Sequence, residues 1–340
     1  MADYAPSPEY RDSGPYKLGV LLVNSGTPDS LTGSGVRAFL RGLLRDRRTI
    51  ELSRAIWCPL LYFIILPLRP RRVLPKYRRV WTPEGSPLLV WSLRLRELLE
   101  ARLAEDKNTE VAVELGMLYS TPDVRAGLER LRAAGAQRLV VLPLFPQYSG
   151  TTTGAAYDQV GTALRSWRFL PELRYINDYH LDPLYLDGLA ASVREHRAAN
   201  PGGEHLLMSF HGIPARYTED GDPYLRKCEA TAAALAQRLQ LRTEDWSVSF
   251  QSRVGFDRWL APYTGDALKS LAARGVHVLD VICPGFAVDC LETVDEIGHE
   301  YAELFHAGGG KLRYIPALNA SEAQLALLAG LIHRHARQLS

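Results

Sequence analysis

One histidine and a short row of carboxylates are the side chains in this sequence whose placement could do chemistry. His211 closes the run His205-Leu206-Leu207-Met208-Ser209-Phe210-His211, an apolar stretch with strand character that Gly212, Ile213 and Pro214 stop. In an open α/β sheet the loops at the carboxyl ends of the strands form the ligand crevice, so His211 stands where its imidazole would face a cleft. A strand-end histidine that only satisfies a neighbouring carbonyl is the plainer reading. It loses ground because a second strand ends in a comparable way. The stretch His277 to Ile282 closes in Cys283-Pro284-Gly285-Phe286, and Asp289 can cap a helix that begins near Cys290. Glu292, Glu296 and His299 or Glu300 then recur at i, i+4 and i+7 or i+8, which places them on one helical face. Acids in a first turn also suit the helix dipole of a merely solvated helix. Taken together on two strand tips, an imidazole and several carboxylates suit a divalent cation or a proton relay.

The chain that must position these groups has 340 residues, enough for two domains or one large one with a substantial core. Its hydrophobic fraction of 46% and charged fraction of 23% are those of an ordinary globular protein. A net charge of +2, with no nucleic-acid motif, argues against a nucleic-acid partner. Cys58, Cys228, Cys283 and Cys290 show no CxxC spacing, which fits a reducing, cytoplasmic setting and offers no clustered site for zinc or iron–sulfur. Residues 1–15 read as a polar, Pro-rich, disordered lead-in with no signal-peptide core.

Strand and helix patterns alternate along the rest of the chain, the signature of parallel sheets flanked by helices. The first run, Lys17 to Asn24, turns at Ser25-Gly26-Thr27-Pro28, a turn able to cradle an anion, although no G-x-G-x-x-G or Walker sequence is present. Strands follow over 110–118 and 138–145, and the pattern restarts with strands over 173–179, 205–210, 246–251, 277–282 and 311–316. The reading is an N-terminal α/β domain over 16–168, a C-terminal α/β domain over 169–316, and a terminal helix over 317–340 packing back on the first half. One segment breaks the pattern. Ile56 to Leu68 is apolar but interrupted by Pro59 and Pro67, and Arg69, Arg71, Arg72, Lys76, Arg78 and Arg79 follow it. About 13 residues fall short of the roughly 20 that span a bilayer. It reads either as a buried core helix or, within a lip over 56–80, as an amphipathic surface resting on lipid headgroups.

Six motifs, in order along the chain, resemble those of the ferrochelatase family. They are Leu22-Val23-Asn24-Ser25-Gly26-Thr27-Pro28; Tyr77-Arg78-Arg79 with Gly85-Ser86-Pro87-Leu88; Pro146-Gln147-Tyr148-Ser149 with Thr152-Thr153-Gly154; Ser209-Phe210-His211-Gly212-Ile213-Pro214; Phe250-Gln251-Ser252-Arg253-Val254-Gly255 with Trp259-Leu260; and Cys283-Pro284-Gly285-Phe286 through Asp289-Cys290-Leu291-Glu292-Thr293. The resemblance implies a chelatase-like fold of two Rossmann-like domains with a porphyrin held in the cleft between them. It implies insertion of Fe²⁺ into protoporphyrin IX, the terminal step of haem synthesis, with iron and porphyrin as substrates and no prosthetic group. By that match His211 and Glu292 are the catalytic and metal-handling pair, with Glu296 and Glu300 as a relay. Tyr77, Ser86, Ser25, Leu118 and Tyr119 fall at porphyrin-facing positions, and an arginine among Arg69, Arg71 and Arg72 meets a propionate.

The chain departs from the family in two places. Leu118 in Met117-Leu118-Tyr119 stands where relatives commonly carry arginine, and Ser25 stands where they often carry Leu, Met or Tyr. Both fall on the side of the pocket that the resemblance assigns to metal entry. The chain also lacks the Cys-bearing extension of cluster-containing members, so no [2Fe–2S] centre is expected. Competing readings are a coproporphyrin or cobalt chelatase and a non-catalytic porphyrin or haem carrier. A hydrolase built on Ser209 and His211 lacks the G-x-S-x-G elbow. Peripheral contact with the inner membrane is expected through the lip, and the oligomer is left between monomer and homodimer.

Overall fold

The computed structural model describes residues 17–105, 110–255 and 257–337, and the lead-in expected over residues 1–15 lies outside them. Among the described residues, eight strands form two parallel sheets. The first has β1 (Lys17–Asn24), β2 (Val111–Met117), β3 (Ala136–Pro143) and β4 (Glu172–Tyr175) in the order β2-β1-β3-β4. The second has β5 (His205–His211), β6 (Trp246–Gln251), β7 (Val278–Ile282) and β8 (Lys311–Ile315) in the order β6-β5-β7-β8, the same topology repeated. Every neighbouring pair is parallel. A parallel sheet covered on both faces needs strands apolar on both faces. This is why β1 is buried at all but its first residue and β5 at all but its last.

The described residues divide into two compact units. One comprises those up to Leu144, Gly150–Asp178 and those from Leu325 on, and the other Phe145–Ser149 with Tyr179–Gln324. The boundary expected at 168/169 therefore moves to 178/179. The reason is β4, which lies beyond the expected boundary yet pairs with β3 from Arg138↔Glu172 to Val141↔Tyr175.

The apolar segment after Ser53 is one continuous helical stretch: an α-helix Arg54–Leu60, a π-helical turn Leu61–Ile65 and an α-helix Leu66–Val80. Its prolines donate nothing to the α ladder, and the π turn lies between Pro59 and Pro67. Trp57, Leu61, Leu66 and Tyr77 are buried, and Trp57 Nε1 donates to the Leu44 carbonyl at 2.7 Å. The segment is not a fully buried core helix, because Ile56, Phe63, Ile64 and Leu68 are 71%, 81%, 53% and 55% exposed. Among the described residues no helix is long and apolar enough to cross a membrane.

At the start of β5, the His205 ring is buried with Nδ1 3.1 Å from the Glu244 carbonyl and Nε2 2.8 Å from Ser247 Oγ. The neutral ring satisfies both, donating from Nδ1 and accepting at Nε2. Burial lowers its pKa, and nearby Arg274 adds to that. Stability from the neutral ring is therefore full above the unfolded pKa, about 6.5, and is lost as pH falls through that value toward the folded one. The urea midpoint should fall between about pH 7.5 and about pH 5.5, with a shallower fall in His205→Gln. Equal slopes would show that His205 carries none of the dependence.

Candidate active site

In the second unit the chain leaves β5 for β6 on one side and then crosses to β7 on the other. The crevice of an open α/β sheet lies at such a reversal, outside the carboxyl ends of the two strands. His211 is the last residue of β5, and the exit of β7 runs through Cys283-Pro284-Gly285 toward Glu292. The sheet order therefore brings both candidate stretches to one crevice.

His211 is half-buried, with Nδ1 2.7 Å from the Gly212 carbonyl. A carbonyl only accepts, so Nδ1 carries the hydrogen in the neutral ring and Nε2 holds the lone pair. Phe286 stands edge-on at 6.4 Å between ring centroids, and the Tyr224 hydroxyl donates to the His211 carbonyl at 3.0 Å. Ser209, by contrast, is fully buried, and its Oγ donates to Gln251 Oε1 at 2.8 Å and lies 3.0 Å from Thr264 Oγ1. That arrangement gives a serine nucleophile neither exposure nor His211 as its base.

The acidic segment is a π-helix over Glu292–Tyr301, continued by an α-helix Ala302–Ala307. A spacing of four falls just short of one widened turn, as it falls just past one α turn, so Glu292, Glu296 and Glu300 still share a side. All three are half-buried, while Ile297 is buried in the core beneath with Leu279, Val281 and Phe305. His299 instead points out, 44% exposed and 3.6 Å from Glu303. The capping role expected of Asp289 is not what the structure has. Its buried carboxylate accepts from Thr293 Oγ1 at 2.9 Å, Tyr314 OH, Ala317 N–H at 3.3 Å and Asn319 Nδ2 at 2.7 Å. It ties down the loop before the helix rather than the first-turn N–H groups.

Glu296 is gripped by Ser252, whose N–H donates to Oε1 at 2.8 Å and whose hydroxyl donates to Oε2. Ser252 adopts the left-handed conformation at φ 66°, which is uncommon outside glycine and marks a constrained position. Burial and the neighbouring Glu296 carboxylate raise the Tyr301 pKa. Burial raises the Glu296 pKa and the charge of Glu292 adds to the rise, while the Ser252 bonds and the positive charge of His211 oppose it. Glu296 is thus within electrostatic reach of both His211 and Glu292. Among the described residues no three His, Cys, Asp or Glu side chains gather into a metal-holding cluster. Burial also pushes the Cys283 and Cys290 thiols up, so neither is a ready thiolate ligand.

The eight candidate residues in the first unit lie after its strand tips, on the lip or just beyond it. Leu118 and Tyr119 follow β2, and their N–H groups donate to the carbonyls of Asn24 at 2.9 Å and Ser25 at 3.0 Å. Leu118 is buried, and the Tyr119 hydroxyl donates to Asp46 at 2.8 Å, with Thr49 Oγ1 3.3 Å away. Burial and Asp46 together raise the Tyr119 pKa. The Ser25-Gly26-Thr27 turn does not offer the anion cradle expected of it, because the Ser25 N–H donates to Asn24 Oδ1 and the Thr27 N–H to Ser120 Oγ. Tyr77 is buried edge-on to Trp81, and Ser86 is buried ahead of the helix Pro87–Leu103. Burial lowers the Arg69 pKa, while Arg71 and Arg72 are exposed.

Sequence reasoning gave Gln251 and Ser252 only as members of a motif, with no role, and passed over Tyr301. The alternation Ser247-Val248-Ser249-Phe250-Gln251 reads as a strand with one polar, solvated face, yet Ser249 and Gln251 are buried. The available signal was the motif Phe250-Gln251-Ser252 itself.

The sequence model of the family described as Ferrochelatase matches residues 17–336. A ferrochelatase of Thioalkalivibrio sulfidiphilus is 50% identical over 96% of this chain and 89% of its own length. A ferrochelatase of Aeromonas hydrophila is 49% identical over 94% of this chain and 98% of its own. Among solved structures, the sirohydrochlorin chelatase SirB from Bacillus subtilis in complex with cobalt aligns over 94% of this chain and 96% of that one, with TM-score 0.56 at 11% identity, a likeness of fold alone.

Proposed function

The chain belongs to the ferrochelatase family, and from that membership we propose that it inserts Fe²⁺ into protoporphyrin IX, forming protohaem and releasing two protons in the terminal step of haem synthesis. The observation that carries this reading is the family match over residues 17–336. Iron and porphyrin are substrates, and the reading needs no prosthetic group.

Metallation requires two pyrrole N–H protons to leave as iron enters. In this reading His211 takes one at Nε2, where its bond to Gly212 leaves the lone pair. Glu292, at the start of the π-helix, supplies the carboxylate beside it. Glu296, whose pKa is raised by burial, suits a group that receives a proton and passes it on toward Glu300. Tyr77, Ser86, Ser25, Leu118 and Tyr119 are proposed to line the porphyrin side, with Arg69 preferred over Arg71 and Arg72 as the propionate partner because it is the half-buried one. Anaerobic Fe²⁺ insertion, followed by the change in porphyrin absorbance, tests the reading. Tight porphyrin binding without turnover would make the protein a carrier, and turnover only with coproporphyrin or Co²⁺ would move it to another substrate.

The lip is proposed to rest on the lipid of the inner membrane from the cytoplasmic side. Support comes from the exposed Ile56, Phe63, Ile64 and Leu68 beside exposed Arg71, Arg72, Arg78 and Arg79. Phe63→Glu with Ile64→Glu should weaken sedimentation with anionic liposomes at least severalfold, since each removes apolar contact and adds a repelled charge. Unchanged sedimentation would remove the lip from that role.

A further inference from the structure

Gln251 is the last residue of β6 and only 1% exposed, and its amide joins the segments that carry His211 and Glu292. Its Nε2 donates at 2.8 Å to the backbone carbonyl of Glu292, the first residue of the π-helix. Its Oε1 accepts from Ser209 Oγ at 2.8 Å, two residues before His211 on β5, and from the Cys283 thiol at 3.6 Å, at the exit of β7. Its backbone carbonyl accepts the Gly212 N–H at 2.8 Å, immediately after His211. A carboxamide both donates and accepts, whereas a carboxylate of the same shape only accepts and a thioether does neither well.

We propose that Gln251 is a positioning residue for metal insertion. It holds the main chain of Glu292 against the β5 strand tip, so that the His211 imidazole and the Glu292 carboxylate address the same pyrrole nitrogens. The inference rests on the chelatase reading above. Gln251 itself touches no reacting atom. Loss of its donor lets the first turn of the π-helix drift from the strand tip, and misplacement by about 1 Å lowers a rate by as much as about 10²-fold.

The test compares wild type, Gln251→Glu and Gln251→Met in anaerobic Fe²⁺ insertion into protoporphyrin IX, with thermal midpoints measured on the same preparations. Gln251→Glu keeps the shape and the acceptor for Ser209 and, assayed across pH, loses the donor to Glu292 as the buried carboxyl ionises, so it reads the proposal even if Gln251→Met fails to fold. The expected result is a kcat lower by about 10- to 10²-fold with porphyrin KM within about twofold of wild type. In Gln251→Glu this split should grow as pH rises and the buried carboxyl ionises, beyond any pH dependence of the wild type. A kcat within about twofold of wild type in Gln251→Glu at every pH where both proteins stay folded overturns the proposal. So does a kcat loss that comes with a matching rise in KM and a large fall in midpoint, which is the mark of general loosening. A wild type that turns over no iron sinks the chelatase reading and the positioning role with it.

Discussion

His211→Ala is expected to lower anaerobic Fe²⁺ insertion by about 10²- to 10⁴-fold, the range that a positioned general base contributes. The variant loses the only nitrogen whose lone pair the local bonding directs outward, because Nδ1 is committed to the Gly212 carbonyl. It should fold normally, since the half-buried ring leaves that carbonyl within reach of water. Glu292→Gln should act in the same direction without disturbing the helix. The Gln251 bond is made to the Glu292 backbone, so a side-chain amide leaves it in place. Porphyrin fluorescence quenching should still report binding in both variants. Binding without turnover separates the two residues from the porphyrin contacts, whereas full turnover in His211→Ala would remove it from the chemistry.

The second large effect is on stability. Asp280 on β7 has a fully buried side chain, with Arg197 Nε at 2.8 Å, Arg313 Nε at 2.8 Å, Arg313 Nη2 at 2.6 Å and His196 Nε2 at 3.7 Å. Arg313 in turn donates from Nη1 to the carbonyls of Asn200 at 2.7 Å and Pro201 at 3.1 Å. Gly203 has no room for a Cβ against the same carboxylate, so the neighbouring loop is built around it. Removing Asp280 leaves the Arg313 guanidinium charged and nearly buried and Arg197 charged and partly solvated. Breaking a buried ion pair in this way costs about 3–5 kcal/mol, with the solvent that reaches Arg197 pulling toward the low end. That is a large share of a typical total of about 5–15 kcal/mol. Asp280→Ala should therefore move the urea midpoint strongly downward, while activity measured well below the transition survives in the folded fraction. An unmoved midpoint would mean that water or rearrangement replaces the lost carboxylate.

The strands, their parallel pairing and the place of His211 at a strand tip were legible because they follow from local pattern. A strand covered on both faces must be apolar throughout, and β1, β3 and β5 announce themselves that way. Glu292, Glu296 and Glu300 were legible by spacing alone, and they stay on one side even though the helix is wound as π rather than α. Strand β4 was harder. Its four residues are only partly buried, so nothing local tells which sheet it joins, and that moved the domain boundary.

The sequence by itself determined the alternating α/β architecture, the family, and the histidine and carboxylates at the two strand tips, because each is written in periodicity or in a contiguous motif. Only the tertiary structure decided what holds them. Ser252 finds Glu296 44 positions later, Gln251 finds Ser209 42 positions earlier, and Asp289 reaches Asn319 30 positions later as well as the Thr293 hydroxyl of its own helix. A buried polar side chain must be satisfied, but the sheet order chooses which distant group satisfies it, and no local pattern carries that order.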